Sequence, residues 1–282
     1  MPELPETETI ARDLDGALRG AVVRSAAVVR ADVLRGSITS RARTAGPRGA
    51  SQFAASLADA TIVGVGRRAK SVVIALSSGS RLVVTPRFTG ALLVDGTADD
   101  AYTCIRFDLA DGRLLRYHDV RRLGTVALLD ERAYRTWDEG IGPEPLDPAL
   151  TVERFSGIIR GSSRAVKSIL MDQDRLAGVG NIYANEALWR ARIRPQRRGR
   201  AVTHAHAATL LGELRGVLTE SIAKRGTTFR DYRDAYGGRG AFAAELKAYG
   251  RAGEPCARCG ATLKLTHAIE KRQTVWCPQC QR

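Results

Sequence analysis

Four of the five cysteines stand in two pairs near the end of the chain, Cys256 with Cys259 and Cys277 with Cys280. Two Cys-x2-Cys pairs about 15–20 residues apart can supply four thiolates to one Zn²⁺, and 17 residues lie between these two pairs. We prefer this interpretation to two disulfides, which a reducing cytosol disfavours. Because cysteines fill all four coordination positions, the predicted Zn²⁺ is structural and has no open position for chemistry.

A second reactive arrangement lies at the start of the chain, where Pro2 and Glu3 follow Met1. Removal of Met1 gives Pro2 a secondary amine, and an α-amino group with an ordinary pKa of about 7.7–8 is partly neutral at pH 7. Such an amine can attack an aldehyde-level carbon to form an iminium, and Glu3 can act beside it as a general acid/base. Many chains begin harmlessly with Met-Pro, so this pair gains weight only from the rest of the sequence.

The charge balance points to a polyanionic partner. The sequence has 44 Lys and Arg against 30 Asp and Glu, a formal net charge of +14, and only six of the basic residues are Lys. Arg forms bidentate contacts with phosphate. Codon bias and a solvated basic surface explain part of this excess, but they explain less well why six Arg and no acid occur between Arg190 and Arg200. Nucleic acid is therefore the favoured partner.

Gly178-Val179-Gly180 stands directly before Asn181 and a helical stretch. This order predicts a tight turn into a helix whose first backbone N–H groups face outward and attract phosphate. Gly-x-Gly alone also fits an ordinary joint between two helices. Because helices are predicted on both sides, we interpret the segment as a hairpin-type DNA-binding element.

The elements that must position these residues fall into two regions. A helix at 6–18 precedes β-branched and aromatic stretches that predict an antiparallel sandwich or barrel, and Cys104 falls in one of them as a buried free thiol. The period then becomes helical, and a Gly-rich stretch at 225–241 is too polar for a core and long enough for a mobile loop. The predicted strands are 22–29, 71–76, 81–85, 103–109 and 113–117, and the later helices are 151–160, 164–171, 182–191 and 204–224.

The chain has 282 residues, 44% of them hydrophobic and 26% charged, which fits about two domains with real cores. No stretch approaches the roughly 20 apolar residues of a membrane-spanning helix, and the acidic start is not a secretory signal. We expect a cytoplasmic protein with no membrane partner. We predict an α+β fold with an N-terminal domain at 1–138, a Gly- and Pro-rich linker at 139–150, a helical domain at 151–242 and a zinc finger at 243–282.

Several motifs match one family when they are taken together. They are Pro2-Glu3-Leu4-Pro5-Glu6, Lys70 in Gly66-Arg67-Arg68-Ala69-Lys70, Tyr117-His118-Asp119-Val120-Arg121-Arg122-Leu123-Gly124, Met171-Asp172-Gln173 leading into Gly178-Val179-Gly180-Asn181-Ile182-Tyr183-Ala184-Asn185-Glu186, and Tyr249-Gly250-Arg251 before the cysteines. In this order, over essentially the whole chain, the sequence closely resembles the bacterial formamidopyrimidine-DNA glycosylases, whose family also holds endonuclease VIII. With Leu4, the start of the chain resembles the formamidopyrimidine branch of the family, since endonuclease VIII typically has Gly at this position.

The resemblance implies a helix plus β-sandwich domain, a helix–two-turn–helix domain and a β-hairpin zinc finger, with double-stranded DNA bound in the cleft between the domains. It implies a bifunctional DNA glycosylase/AP lyase of base excision repair, which we expect to be monomeric. This enzyme would remove 8-oxoguanine and formamidopyrimidines and then cleave the strand by β,δ-elimination, with no catalytic metal.

The same resemblance implies a role for each matching residue. Pro2 would be the Schiff-base nucleophile, Glu3 the acid/base, and Glu6 a support for that site. Lys70, Asn181 and Arg272 would hold phosphates around the lesion, and Lys70 and Arg272 are counted with the catalytic residues. Tyr183 and Glu186 are second-tier candidates in the same motif, and the segment 227–242 would close over the everted base.

One set of positions departs from the family pattern. The side chains that fill the gap left by the everted nucleotide are usually Met, Arg and Phe, and here they read Phe88, Arg121 and Leu123. Arg121 can still replace the lost base, whereas Leu123 is a smaller wedge and Phe88 supplies a ring from another strand. Two alternatives stay open. One is the same chemistry with a preference for oxidised pyrimidines or abasic sites. The other is a non-catalytic damaged-DNA-binding protein, which the intact nucleophile and acid/base positions argue against.

Overall fold

The computed structural model describes residues 1–36, 47–94 and 101–282. Its contacts divide the chain into two compact units, Met1–Gly140 with Lys224–Ala241 and Ile141–Ala223 with Phe242–Arg282. The predicted helical domain at 151–242 thus includes a segment that the structure groups with the N-terminal unit. None of the described helices is long and apolar enough to cross a bilayer.

The first unit opens with helix α1 (Leu4–Leu18). Pro5 suits the first turn because it has no N–H to leave unsatisfied there. Glu3 and Glu6 form a capping box, in which the Glu6 carboxylate accepts the Glu3 backbone N–H at 2.8 Å. The apolar side chains, such as Leu14, recur on one face and are fully buried. α1 begins two residues before the predicted start at residue 6, because Glu3 caps it.

Eight strands follow: β1 (Val22–Val28), β2 (Ala60–Arg68), β3 (Ser71–Leu76), β4 (Arg81–Thr85), β5 (Gly90–Val94), β6 (Thr103–Leu109), β7 (Leu114–Asp119) and β8 (Thr125–Leu129). They form one antiparallel sheet in the order β5-β7-β6-β1-β2-β3-β4-β8. β1 and β2 pair only through Val22–Thr61 and Val23–Ala60. The two halves of the sheet on either side of this short pairing enclose one core together with α1. The predicted helix plus antiparallel sandwich is confirmed.

Three strands, β2, β5 and β8, are missing from the sequence prediction. In β2, Gly64 and Gly66 interrupt the alternation of apolar and polar residues, and Val63 is exposed. β2 nevertheless forms because β3 supplies its hydrogen-bonding partners over most of its length. β5 and β8 are short apolar runs rich in Ala and Leu, which periodicity alone does not distinguish from a buried helix segment.

Two helices are also missing from the prediction, α2 (Pro47–Ala55) and α3 (Glu131–Glu139). α3 has no fully buried residue, although Ala133, Tyr134 and Trp137 share one face at helical spacing. It begins after Asp130, whose carboxylate accepts the Ala133 N–H at 2.8 Å. Its aromatic side chains pack on a small outer cluster formed by β3, β4 and β8. The helical spacing of these side chains is a signal that the sequence prediction did not use.

The polar segment at 225–241 contributes to the core of this unit. Tyr232 is 6% exposed and Ala235 is fully buried, and both belong to the sandwich core. The Ala235 carbonyl oxygen also accepts the Val94 N–H of β5 at 2.9 Å. The prediction that this stretch is too polar for a core is wrong, because two apolar residues suffice when their partners lie far away in sequence.

The second unit is helical. Its helices are α4 (Val152–Arg160), α5 (Val166–Met171), α6 (Asn181–Arg190) and α7 (His204–Ala223). The sequence predicted all four with ends within two residues of the observed ones, a difference typical of fraying helix termini. α6 is buried along nearly its whole length and packs against α7.

The predicted linker at 139–150 is packed along most of its length. The guanidinium of Arg215 in α7 donates to the carbonyl oxygens of Pro145, Asp147 and Leu150 at 2.8–2.9 Å. Three carbonyl groups that would otherwise need water are thereby satisfied by one side chain. From Ile141 onward the segment is a fixed part of the second unit.

The chain ends in a hairpin of β9 (Lys264–Thr266) and β10 (Thr274–Trp276). This confirms the predicted β-hairpin between the cysteine pairs. Its return strand is held by buried polar contacts with two helices. The Lys167 ammonium of α5 donates to the Thr274 hydroxyl at 2.7 Å, and the Asn185 side-chain oxygen of α6 accepts the Val275 N–H at 2.8 Å.

Candidate functional site

Two acidic residues meet at the start of α1. Glu3 is 4% exposed and Glu6 is 1% exposed, so both carboxyl groups are shielded from bulk water. The Glu6 carboxylate accepts the Glu3 N–H through one oxygen and the Thr227 N–H at 2.7 Å through the other. Gly226 has a φ of +85°, and a Cβ there would lie 2.9 Å from the Glu6 side chain, so only glycine fits. Glu6 thus joins the start of α1 to the segment at 224–241.

Lys70 belongs to the same electrostatic environment. It lies in the turn between β2 and β3, directly after Ala69, whose φ is +52°. Burial lowers the pKa of the Met1 amine, the carboxylates of Glu3, Glu6 and Asp231 raise it, and the Lys70 charge lowers it further. The charges of the predicted acid/base Glu3 and of Lys70 therefore both act on the amine at the start of the chain. Asp231 is an additional charge there that sequence reasoning missed.

An ion-pair network fastens the segment at 224–241 onto α1. Arg225 has a φ of +60°, and its guanidinium lies 2.6 Å from the carboxylates of both Asp13 and Asp234. These two carboxylates raise the pKa of Arg225, with Asp13 contributing most. Asp234 also accepts the Gly238 N–H at 2.6 Å. The segment at 227–242, predicted to close over an everted base, is thus anchored by Arg225 just before it and by Asp234 within it.

The predicted gap-filling residues lie in two neighbouring loops of the sandwich. Phe88 follows β4, and Arg121 and Leu123 lie between β7 and β8. All three side chains are exposed. The Arg121 guanidinium carbon stands 4.8 Å from the centre of the Phe88 ring, in a cation–π contact. The structure therefore places the aromatic ring and the arginine in direct contact.

The Gly-x-Gly turn of the second unit is braced by Gln173. Its side-chain amide accepts the Gly178 N–H at 2.9 Å and donates to the Val179 carbonyl oxygen at 2.9 Å. Gly180 caps α6, and Asn181 is its first residue. The positive end of the α6 dipole therefore lies at the residue predicted to hold a phosphate.

Tyr183 and Glu186 lie further along α6 with buried side chains. The Tyr183 hydroxyl is 2.6 Å from the Ser221 hydroxyl of α7. The Glu186 carboxylate accepts three backbone N–H groups, at 2.8–3.0 Å, from residues 247–249. Burial raises the pKa of Glu186 against the opposing effect of these donors. Both side chains fix the helical unit internally, so a DNA contact at Tyr183 would have to use its backbone.

The four cysteine sulfurs lie within 4.8 Å of one another, and Cys259 Sγ is 3.5 Å from Cys277 Sγ. Tetrahedral zinc with Zn–S bonds of about 2.3 Å spaces its sulfurs about 3.8 Å apart. The buried indole N–H of Trp189 has no hydrogen-bond partner among the described residues, and the ring packs in one cluster with Cys256 and Cys277. The four residues are positioned to hold a metal ion, and four thiolates suit zinc. Arg272 is exposed in the turn before β10.

Family models match both parts of this architecture. The formamidopyrimidine-DNA glycosylase N-terminal domain matches residues 1–126, and the formamidopyrimidine-DNA glycosylase H2TH domain matches residues 141–232. Together the two domains define a DNA glycosylase of the helix–two-turn–helix class.

Relatives and solved structures agree with this class. A formamidopyrimidine-DNA glycosylase of Roseiflexus is 39% identical over 284 residues and covers 100% of both chains. The MutM (Fpg) protein of Thermus thermophilus superposes with a TM-score of 0.85 at 34% identity, covering 99% of this chain and 98% of that one. Lactococcus lactis Fpg in complex with abasic-site DNA gives a TM-score of 0.87 at 28% identity, covering 99% of each. The chain belongs to the formamidopyrimidine-DNA glycosylase family.

Proposed function

We propose that this protein is a bifunctional glycosylase/AP lyase that excises oxidised purines, 8-oxoguanine and formamidopyrimidines, from double-stranded DNA. The observation that supports this most is the buried pair of Glu3 and Glu6 at the start of the chain, where the Glu6 carboxylate accepts the Glu3 and Thr227 backbone N–H groups. Full-length similarity to an Fpg that binds abasic-site DNA supports the substrate class. Chromosomal DNA as substrate implies a cytoplasmic location.

The chemistry starts from the secondary amine that Pro2 carries once Met1 is removed. A glycosylase must first extrude the nucleotide from the stack, which costs a few kcal/mol. The amine then attacks C1′, the base departs with a proton, and an iminium forms between the Pro2 nitrogen and the opened sugar. Glu3, 4% exposed, is the group that exchanges the protons. Because the Glu3 carboxyl group is shielded, bulk water does not compete with it for these protons.

The iminium next makes the strand labile. It acidifies the C2′ proton, whose removal expels the 3′ phosphate by β-elimination, and δ-elimination then expels the 5′ phosphate. Lys70 neutralises phosphate charge in the first unit, and Asn181 and Arg272 contact phosphates from the second. Glu6 keeps the start of α1 and Thr227 in place through its two hydrogen bonds. No step requires a metal at the reacting carbon.

We further propose that the four cysteines hold one structural Zn²⁺. A hairpin module of this size has too little core to fold alone, so a bound metal would supply its folding free energy. Its role is to present Arg272, while Lys167 and Asn185 connect the hairpin to α5 and α6.

Borohydride trapping on abasic DNA tests the chemistry, because only an enzyme that forms the iminium becomes covalently attached. Base release from duplexes with 8-oxoguanine, a formamidopyrimidine or an oxidised pyrimidine, each opposite all four bases, tests the substrate. We expect trapping and the fastest release of oxidised purines. Binding without trapping would support the alternative of a non-catalytic damaged-DNA-binding protein. Faster release of oxidised pyrimidines would support the alternative of the same chemistry with a preference for those bases.

The wedge position gives a prediction of its own. Base–aromatic stacking is worth about 1–3 kcal/mol, which Leu123 forfeits. We therefore expect Leu123→Phe to raise the single-turnover rate on an 8-oxoguanine:cytosine duplex about tenfold or more, while cytosine stays the preferred opposite base because Arg121 is unchanged. Val120→Phe, at another exposed site of the same loop, is the control. If Leu123→Phe leaves this rate unchanged or lowers it, Phe88 already acts as the wedge.

Arg272 gives a second prediction. We expect Arg272→Ala to weaken binding to all DNA sequences and to reduce the slope of log affinity against log salt by about one, as loss of one phosphate contact does. Fluorescence anisotropy at several salt concentrations measures this slope. Lys264→Ala removes the same charge from an exposed site on β9 and should leave the slope as it is. An unchanged slope in Arg272→Ala would mean that Arg272 faces solvent in the complex.

A further inference from the structure

Asp119 is a buried carboxylate at the end of β7 that the proposed chemistry does not use. The residue is 1% exposed. One carboxylate oxygen accepts the Thr89 hydroxyl at 2.6 Å and the Arg121 N–H at 3.2 Å. The other accepts the Gly124 N–H at 2.9 Å and the Tyr117 hydroxyl at 3.1 Å. A buried charge with four donors is a strong and directional anchor.

Three of the four donors come from the two loops that carry the gap-filling side chains, and the fourth, Tyr117, belongs to β7. Thr89 is the residue after Phe88, whereas Arg121 and Gly124 stand on either side of Leu123. The Thr89 hydroxyl oxygen also accepts the Arg121 N–H at 3.0 Å. The hydroxyl and the carboxylate therefore share one backbone donor, and the two loops are connected through them.

The surroundings leave the second loop little freedom. A Cβ on Gly124 would collide with the Tyr117 hydroxyl and would lie 2.9 Å from the Thr85 carbonyl oxygen. Arg122 adopts a φ of +51°, which a non-glycine residue rarely does. Burial and the nearby Asp119 charge raise the pKa of Tyr117, so its hydroxyl stays protonated and donates.

We infer that Asp119 is a positioning residue for base extrusion. Its carboxylate fixes the turn after Phe88 and the loop of Arg121 and Leu123 in one arrangement before DNA is bound. A wedge that is already ordered does not lose conformational entropy when it enters the stack. This inference rests on the proposed function and adds the group that holds the wedge in place.

Thr89→Val tests the inference with a nearly isosteric change that removes one donor to Asp119 and one acceptor for Arg121. We expect single-turnover excision from an 8-oxoguanine:cytosine duplex to slow about tenfold, since small misplacements can cost up to about 10²-fold. Discrimination between cytosine and adenine opposite the lesion should narrow. Cleavage at an abasic site in a single strand should be unchanged, because no base has to be extruded there.

Thr85→Val is the matched control, because the Thr85 hydroxyl has a partner in the same sheet, the Ser71 hydroxyl at 2.7 Å, outside this network. Asp119→Asn should slow excision from the duplex more than Thr89→Val does. Like Thr89→Val, it should leave cleavage at an abasic site in a single strand unchanged. If Thr89→Val matches Thr85→Val on the duplex, or slows both reactions equally, the inference is overturned. Absence of base excision already in the parent protein would contradict the proposed function instead, and the parent measured in parallel separates the two results.

Discussion

A chain with one glycine inserted before Pro2 should lose borohydride trapping and strand cleavage while it still binds abasic-site DNA. The insertion turns the Pro2 nitrogen into an amide, whose lone pair is delocalised into the carbonyl group and does not attack C1′. Loss of a covalent nucleophile costs about 10³-fold or more in rate. Binding persists because the proposed phosphate contacts belong to other residues. Single-turnover cleavage and anisotropy, measured on the same preparations, give the two quantities.

Pro5→Ala is the control for this experiment. Pro5 also lies in the first turn of α1, but its nitrogen is an amide in every form of the chain. We expect this variant to be trapped and to cleave like the parent. Full activity from a protein whose added glycine is confirmed by mass spectrometry would remove Pro2 from the nucleophile role and point to another amine.

Cys277→Ser should release the metal and reduce DNA affinity at least about tenfold. Binding free energy at a structural zinc site is also folding free energy, so a missing ligand unfolds the hairpin that presents Arg272. Metal analysis should find one zinc per parent chain and almost none in the variant. Anisotropy with a duplex that carries a stable abasic-site analogue measures the affinity.

Cys104→Ala changes the fifth cysteine and leaves the cluster intact. Cys104 is fully buried in the sandwich core, where burial raises the pKa of its thiol to about 11. We expect the zinc content of the Cys104→Ala variant to match that of the parent protein. Full DNA affinity in a zinc-free Cys277→Ser protein would show that the hairpin folds without metal.

Much of this molecule follows from local sequence patterns. The strands β3, β4 and β6 have the predicted ends because each has a compact apolar run bounded by turns. The cysteine spacing predicts a cluster that the structure forms. These patterns are carried by neighbouring residues, so a single sequence is enough to recognise them. The amine chemistry of Pro2 and the phosphate-facing turn before Asn181 also follow from local residues, whereas the role of Lys70 came from a family resemblance; all three remain predictions.

Other features depend on residues far apart in the chain, and local patterns cannot reveal them. Arg225 pairs with Asp13 across 212 positions of sequence, and Tyr232 enters a core built from much earlier strands. Asp119 reads as one residue of a motif, and only the structure shows that it connects two loops. Tyr183 and Glu186 are second-tier site candidates in the sequence because they lie in the matching motif, yet their side chains are buried in the interior.

The placement of the three tryptophans has a spectroscopic consequence. Trp189 packs in the cluster of Cys256 and Cys277 and lies 4.3 Å under the Arg258 guanidinium, and Trp276 precedes Cys277 and lies 4.6 Å under that of Arg194. Trp137 belongs to α3 in the other unit. Intrinsic fluorescence should therefore come largely from two indoles beside the metal-binding cysteines, above a steady background from the third. A shift in emission would then report loss of the metal in unlabelled protein, in real time.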